Sequence, residues 1–199
     1  MNPALLAATT AESVVVVSGL PRSGTSLMMA MLRAGGLPVL TDGARTADAD
    51  NPNGYFELEA VKRLRTGHAW LAEARGKAVK IVVPLVLQLP SGFSYRVVLM
   101  ERDLDELVAS QAAMLARKGV PLGLPAAKLK AIFQAQFEQA RTALTAKPDC
   151  RVLTVSHAEI LRDPGTTATQ VTAFLERPLD VRAMAAVLDP SLYRQRKNF

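Results

Sequence analysis

The 199-residue chain has one cysteine, Cys150, so it has neither an internal disulfide framework nor a metal site built from several thiolates. Its two histidines, His68 and His157, are too few for a dedicated zinc site. No apolar run approaches the roughly 20 residues needed to cross a bilayer. Residues 1–11 carry no lysine or arginine, unlike a secretory leader, and the expectation is a cytoplasmic protein. The acidic stretch at 48–54 fails as a calcium loop started at Asp48. Asn53 stands where the loop needs glycine, and Pro52 replaces a ligand. No bound metal is expected.

Charge is present but dispersed. Lys and Arg total 24 against 18 Asp and Glu, a net +6 that favours anionic partners. No run of five basic residues occurs, which weakens nucleic acid and anionic lipid as the main ligand against a phosphorylated small molecule, but charge alone does not choose among the three. At 49% hydrophobic and 21% charged, residues 1–199 read as a single globular domain.

Strand and helix signals alternate. The β-branched run at 13–18 suits a strand buried on both faces, and a helix apolar almost all round follows from Thr25 to Ala34. Gly35, Gly36 and Pro38 end it. Residues 41–54 form a polar loop, long enough to be a lid or substrate loop. The pattern predicts an amphipathic helix at 57–74, strands at 78–83 and 95–100, helices at 103–118 and 126–146, a strand at 151–155 and a helix near 165–176. Such alternation gives a three-layer α/β/α domain around a parallel sheet with right-handed crossovers.

Gly19-Leu-Pro-Arg-Ser-Gly-Thr-Ser26 has the spacing of a phosphate-binding loop between strand and helix. Its glycines let backbone N–H groups curl around an anion, and the helix N-terminus adds partial positive charge. Thr25 stands where nucleotide triphosphatases carry lysine, and the nearby cation is Arg22. A second motif follows at the end of the 95–100 strand, a position where open α/β sheets bind ligands. Arg102 precedes a helix capped by Asp103, and Ser110 lies eight residues on. Taken alone, Arg102 is equally a surface ion pair with Glu101 or Asp105.

The loop resembles the 5′-phosphosulfate loop of sulfotransferases that use 3′-phosphoadenosine 5′-phosphosulfate (PAPS), a family with a P-loop type of fold. The resemblance implies that Arg22, Ser23, Gly24, Thr25 and Ser26 hold the 5′-phosphosulfate and that Arg22 neutralises the leaving phosphate. Arg102 and Ser110 resemble the family's 3′-phosphate site. Lys80 in Lys80-Ile-Val-Val-Pro84 resembles the lysine near the transferred group, while Val82 stands where animal cytosolic members carry a catalytic histidine. Asn51-Pro-Asn-Gly-Tyr-Phe-Glu57 resembles a segment of bacterial members, and because related carbohydrate sulfotransferases use a glutamate as base, Glu57 is the expected base. His68 is its rival, and Glu57 otherwise serves as a first-turn helix acid. His157 replaces a tyrosine that often sits near the adenine, and Arg196-Lys197 matches a basic loop only in part. The implied activity is sulfuryl transfer from PAPS to a hydroxyl or amine of a small-molecule, carbohydrate or lipid acceptor. The acceptor pocket would be drawn from residues 41–70 and 126–146, with no nucleic acid involved. The alternatives are an ATP-dependent P-loop phosphotransferase and a non-catalytic module that binds adenosine 3′,5′-bisphosphate.

Overall fold

The computed structural model describes residues 12–45, 48 and 54–188. Arg196 and Lys197, and residues 51–53 of the Asn-Pro segment, lie outside the described residues. Strand β1 (Val14–Gly19) is buried along its whole length. It lies between β2 (Ala78–Lys80) and β3 (Tyr95–Glu101), with β4 (Cys150–Ser156) beyond β3. All three pairings are parallel, in the order β2-β1-β3-β4.

Alternation along each strand divides the core in two. Val14 and Val16, with Val97 and Leu99, face one layer. Val15 and Val17, with Val98 and Met100, face the other. The first layer holds α2 (Leu104–Arg117) and α3 (Ala126–Ala146). The second holds α1 (Thr25–Ala34), α4 (His157–Arg162), α5 (Pro164–Leu175) and α6 (Val181–Ala185). Val14 to Val17 are 0% exposed, and each such valine contributes roughly 1.5–3 kcal/mol by burial. The expected three-layer α/β/α architecture with a parallel sheet is what forms.

Two local expectations need correction. The 57–74 segment is not one α-helix but two 3-10 segments, Glu59–Arg63 and Ala69–Ala72, separated at Thr66-Gly67. Its buried apolar residues, Val61, Leu64, Leu71 and Ala74, stand three apart within each part. Three is the 3-10 period, in which such residues eclipse on one side. Strand β2 ends at Lys80, earlier than the run to 83 implied. Ile81 and Val83 still donate to the carbonyls of Val17 and Gly19, both at 3.0 Å. Pro84 then leads into a 3-10 turn, Leu85–Gln88.

The layer of α2 and α3 is packed unevenly. The buried residues of α2 are Leu107, Val108 and Ser110, all in its first half. Those of α3 are Phe137, Ala140 and Leu144, all in its second half.

Candidate functional site

Parallel register brings the carboxyl ends of the strands to one edge. Val17 pairs with Lys80, Gly19 with Met100, and Glu101 with Ser156. The chain leaves β1 at Gly19 (φ 150°) and reaches α1 through Arg22 (φ 73°) and Gly24 (φ 97°). A Cβ on Gly19 would lie 2.7 Å from the Met100 carbonyl oxygen, and one on Gly24 2.6 Å from Cδ2 of His157. Side chains are excluded at both positions, so the loop stays close to β3 and α4. Gly24 caps α1 without a side-chain bond, and the first turn carries no acid. The N-terminal donors of α1 therefore face outward with the dipole's positive end. The buried Oγ of Ser23 has no hydrogen-bond partner among the described residues. A buried hydroxyl with spare capacity on the floor of this glycine-rich loop fits a ligand oxygen.

On one side of the loop stands Lys80, the last residue of β2 and 8% exposed. Its Nζ lies 3.5 Å from Ser26 Oγ, donates to the Tyr55 carbonyl and stands 3.9 Å from Glu57 Oε1. Burial pushes its pKa down to about 8, Glu57 opposing the shift and Arg45 adding to it. Glu57 is half-exposed and bonded to Arg45 at 3.1 Å. The Arg45 guanidinium also lies 3.3 Å from the Tyr55 ring centroid. Tyr55 donates its hydroxyl to Asp48, and Thr41 donates to the Glu57 carbonyl at 2.7 Å. The polar loop is thereby drawn against Lys80.

On the other side, Arg22 Nε donates to Ser110 Oγ at 3.0 Å. Arg102 donates from NH1 to the Arg22 carbonyl at 3.0 Å and pairs through Nε with Glu106 at 3.3 Å. Asp103 caps α2 by accepting from the N–H groups of Asp105 and Glu106. That cap sets Glu106 and Ser110, four apart, on the face toward the loop. His157 begins α4, buried against Gly24. Burial and then the Arg102 charge push its pKa down to about 4, so it is neutral near neutral pH.

The structure thus gathers two groups around one loop: Lys80, Ser26 and Glu57 on one side, Arg22, Arg102 and Ser110 on the other. His68 is exposed before Ala69–Ala72 and makes no hydrogen bond to Glu57, Lys80 or Ser26. Sequence reasoning missed Glu106, although its i,i+4 spacing to Ser110 was a usable signal. It also missed Arg45 and the Tyr55 carbonyl, whose roles depend on how the polar loop folds back.

No protein-family model matches the chain, and no curated protein matches its sequence. Solved structures do match. The sulfotransferase domain from the curacin biosynthetic pathway superposes with TM-score 0.53 at 13% identity, covering 94% of this chain and 93% of that one. The sulfotransferase domain of the Synechococcus PCC 7002 olefin synthase gives 0.54 at 15% identity, covering 94% and 88%. The sulfotransferase STF1 from Mycobacterium tuberculosis H37Rv gives 0.53 at 14% identity, covering 92% and 73%. This is a sulfotransferase fold. On it, the paired cationic groups sit at the carboxyl edge of the sheet, where the loop after β1 opens toward solvent. No described helix is long and apolar enough to cross a membrane.

Proposed function

We propose that the chain is a PAPS-dependent sulfotransferase acting on an acceptor hydroxyl or amine. The observation that carries this proposal is the pair of cation–hydroxyl groups flanking one phosphate loop, Lys80–Ser26 and Arg22–Ser110. A nucleotide with anionic groups at both its 5′ and 3′ positions has the matching charge pattern. PAPS supplies a sulfuryl group already activated on a phosphate leaving group. The loop N–H groups and the Ser23, Thr25 and Ser26 hydroxyls bind the 5′ end, with Gly24 permitting the close approach. Arg22, the cation within the loop, offsets charge collecting on the leaving phosphate. Arg102 and Ser110 hold the 3′-phosphate, and Arg22, bonded to Ser110, stands between the two anionic ends. Lys80 stabilises charge on the oxygens of the group in transfer from a partly desolvated position. Glu57 faces the acceptor side and takes the acceptor proton.

The Ser26 hydroxyl would bind magnesium in a P-loop phosphotransferase. Here it faces the Lys80 ammonium at 3.5 Å, a cation that disfavours a second one beside it. Together with Thr25 in the lysine position, this favours sulfuryl over phosphoryl transfer.

The test is turnover of labelled PAPS against a panel of hydroxyl and amine acceptors. Wild type transfers label, and Glu57→Gln lowers the rate roughly 10²–10⁴-fold while adenosine 3′,5′-bisphosphate binds as before. Near-normal turnover in the variant removes Glu57 as the base. Binding without any transfer leaves a nucleotide-binding module instead.

A further inference from the structure

The far ends of α2 and α3, the latter within the 126–146 stretch expected to help form the acceptor pocket, carry none of the residues assigned above to nucleotide binding or proton transfer. Between Glu106 and Glu138 the sequence contains no acid, while Arg117, Lys118, Lys128 and Lys130 supply four cations. No residue at 111–117 or 126–136 is fully buried. Met114, Leu115, Leu129, Ile132 and Phe133 all remain partly exposed. The turn joining the two helices holds Val120 at 48% exposure and Leu124 at 38%, the exposed large hydrophobics among the described residues. Lys118 and Lys128 flank it, both exposed. Lys130 pairs with Asp105 at 2.7 Å, back toward the body of the domain.

We propose that this end of the α2–α3 unit docks on a phospholipid surface carrying anionic headgroups. Scattered exposed leucines are ordinary on a globular surface. An acid-free stretch of two half-helices with its apolar tip collared by lysine is not. Buried apolar area and attraction to anionic lipid act together in interfacial binding. Val120 and Leu124 enter the boundary between headgroups and acyl chains, while Lys118 and Lys128 remain at the phosphates. The irregular turn stays at interfacial depth, because its backbone groups need water or headgroup partners. A second copy of the chain docking through this face would oppose cation to cation. This proposal is independent of sulfuryl transfer.

Cosedimentation with vesicles tests it, using phosphatidylcholine alone and phosphatidylcholine mixed with phosphatidylglycerol. Wild type pellets with the mixed vesicles and not the neutral ones, and added salt releases it. Lys118→Gln with Lys128→Gln weakens binding about thirtyfold, roughly fivefold for each charge lost at the surface. Val120→Asp with Leu124→Asp abolishes pelleting. Both pairs sit on exposed positions, so an unchanged melting temperature certifies the fold. Absence of wild-type pelleting with anionic vesicles overturns the proposal, as does aspartate-variant binding equal to wild type. A concentration-dependent dimer lost in the aspartate variant assigns the face to a second copy, which also overturns it.

Discussion

A lysine that is 8% exposed and expected to meet an anion is under two opposing demands. Burial disfavours the ammonium and brings the Lys80 pKa down to about 8, whereas an arriving anion favours the charged form. The sign for stability follows from proton counting. Between about pH 8 and the ordinary value of 10.5 the unfolded chain holds more protons at this residue, so its contribution rises with pH across that window. On the proposed role the sign for function is opposite, because the charged form is the one that would stabilise the group in transfer. kcat/KM for PAPS should therefore be level well below pH 8, bend near it and fall about tenfold per unit well above it, since this parameter reports free-enzyme ionisations. Lys80→Arg should move that limb upward, because guanidinium stays protonated throughout. A pH–rate profile of both proteins checks this, and an unshifted limb in the arginine variant assigns the ionisation to another group.

Elements matter here chiefly through their ends. The start of α2 delivers Glu106 and Ser110 to the loop, and Arg102 just before it touches the Arg22 backbone while Ser110 touches the Arg22 side chain. The two contacts should separate on substitution. Ser110→Ala removes one hydrogen bond worth about 1 kcal/mol, a loss of about fivefold in adenosine 3′,5′-bisphosphate affinity, and spares adenosine 5′-phosphate. Arg102→Ala removes charged bonds worth roughly 1.5–3 kcal/mol, so the bisphosphate weakens about ten- to a hundredfold. It should also weaken adenosine 5′-phosphate, because the left-handed Arg22 loses the donor to its carbonyl. Calorimetric titration of both nucleotides decides; a Ser110→Ala loss equal for the two would remove Ser110 from the 3′ side. The same ends explain what was legible beforehand. The strand, loop and helix from Val14 to Ala34 follow from a local pattern, a valine run, spaced glycines and an apolar helix, so local chemistry suffices. Asp103 was readable as a cap for the same reason. The segment after Tyr55 was misjudged because apolar spacing of three lies close to the helical period, and only Thr66-Gly67 hinted at the break. Contacts such as Lys80 to the Tyr55 carbonyl, or Arg102 to the Arg22 carbonyl, depend on how distant elements converge, and local pattern does not contain that.

At the scale of the whole molecule, the sheet has two faces covered by separate apolar layers, leaving the carboxyl edge as the place where polar groups collect. Buried among that edge's cations are groups that burial makes costly: a lysine pushed down to about 8 and a histidine pushed down to about 4. A ligand with two anionic ends relieves part of that cost, and it binds the native state without binding the unfolded chain. The consequence is a melting temperature that depends on ligand concentration. At a hundredfold excess over Kd, native-state binding adds about 2.7 kcal/mol. For a chain of this size, each kcal/mol shifts the midpoint by roughly 2–4 °C, giving a rise of about 5–11 °C with adenosine 3′,5′-bisphosphate. No magnesium is needed for this rise, because Lys80 and Arg22 provide the balancing charge. Adenosine 5′-phosphate at the same concentration should shift the midpoint less, since it leaves the Arg22–Ser110 side unfilled. Scanning calorimetry with each nucleotide, with and without magnesium, measures the effect directly. A larger rise from ATP with magnesium than from the bisphosphate would transfer the fold, with its two cationic groups, to phosphoryl chemistry.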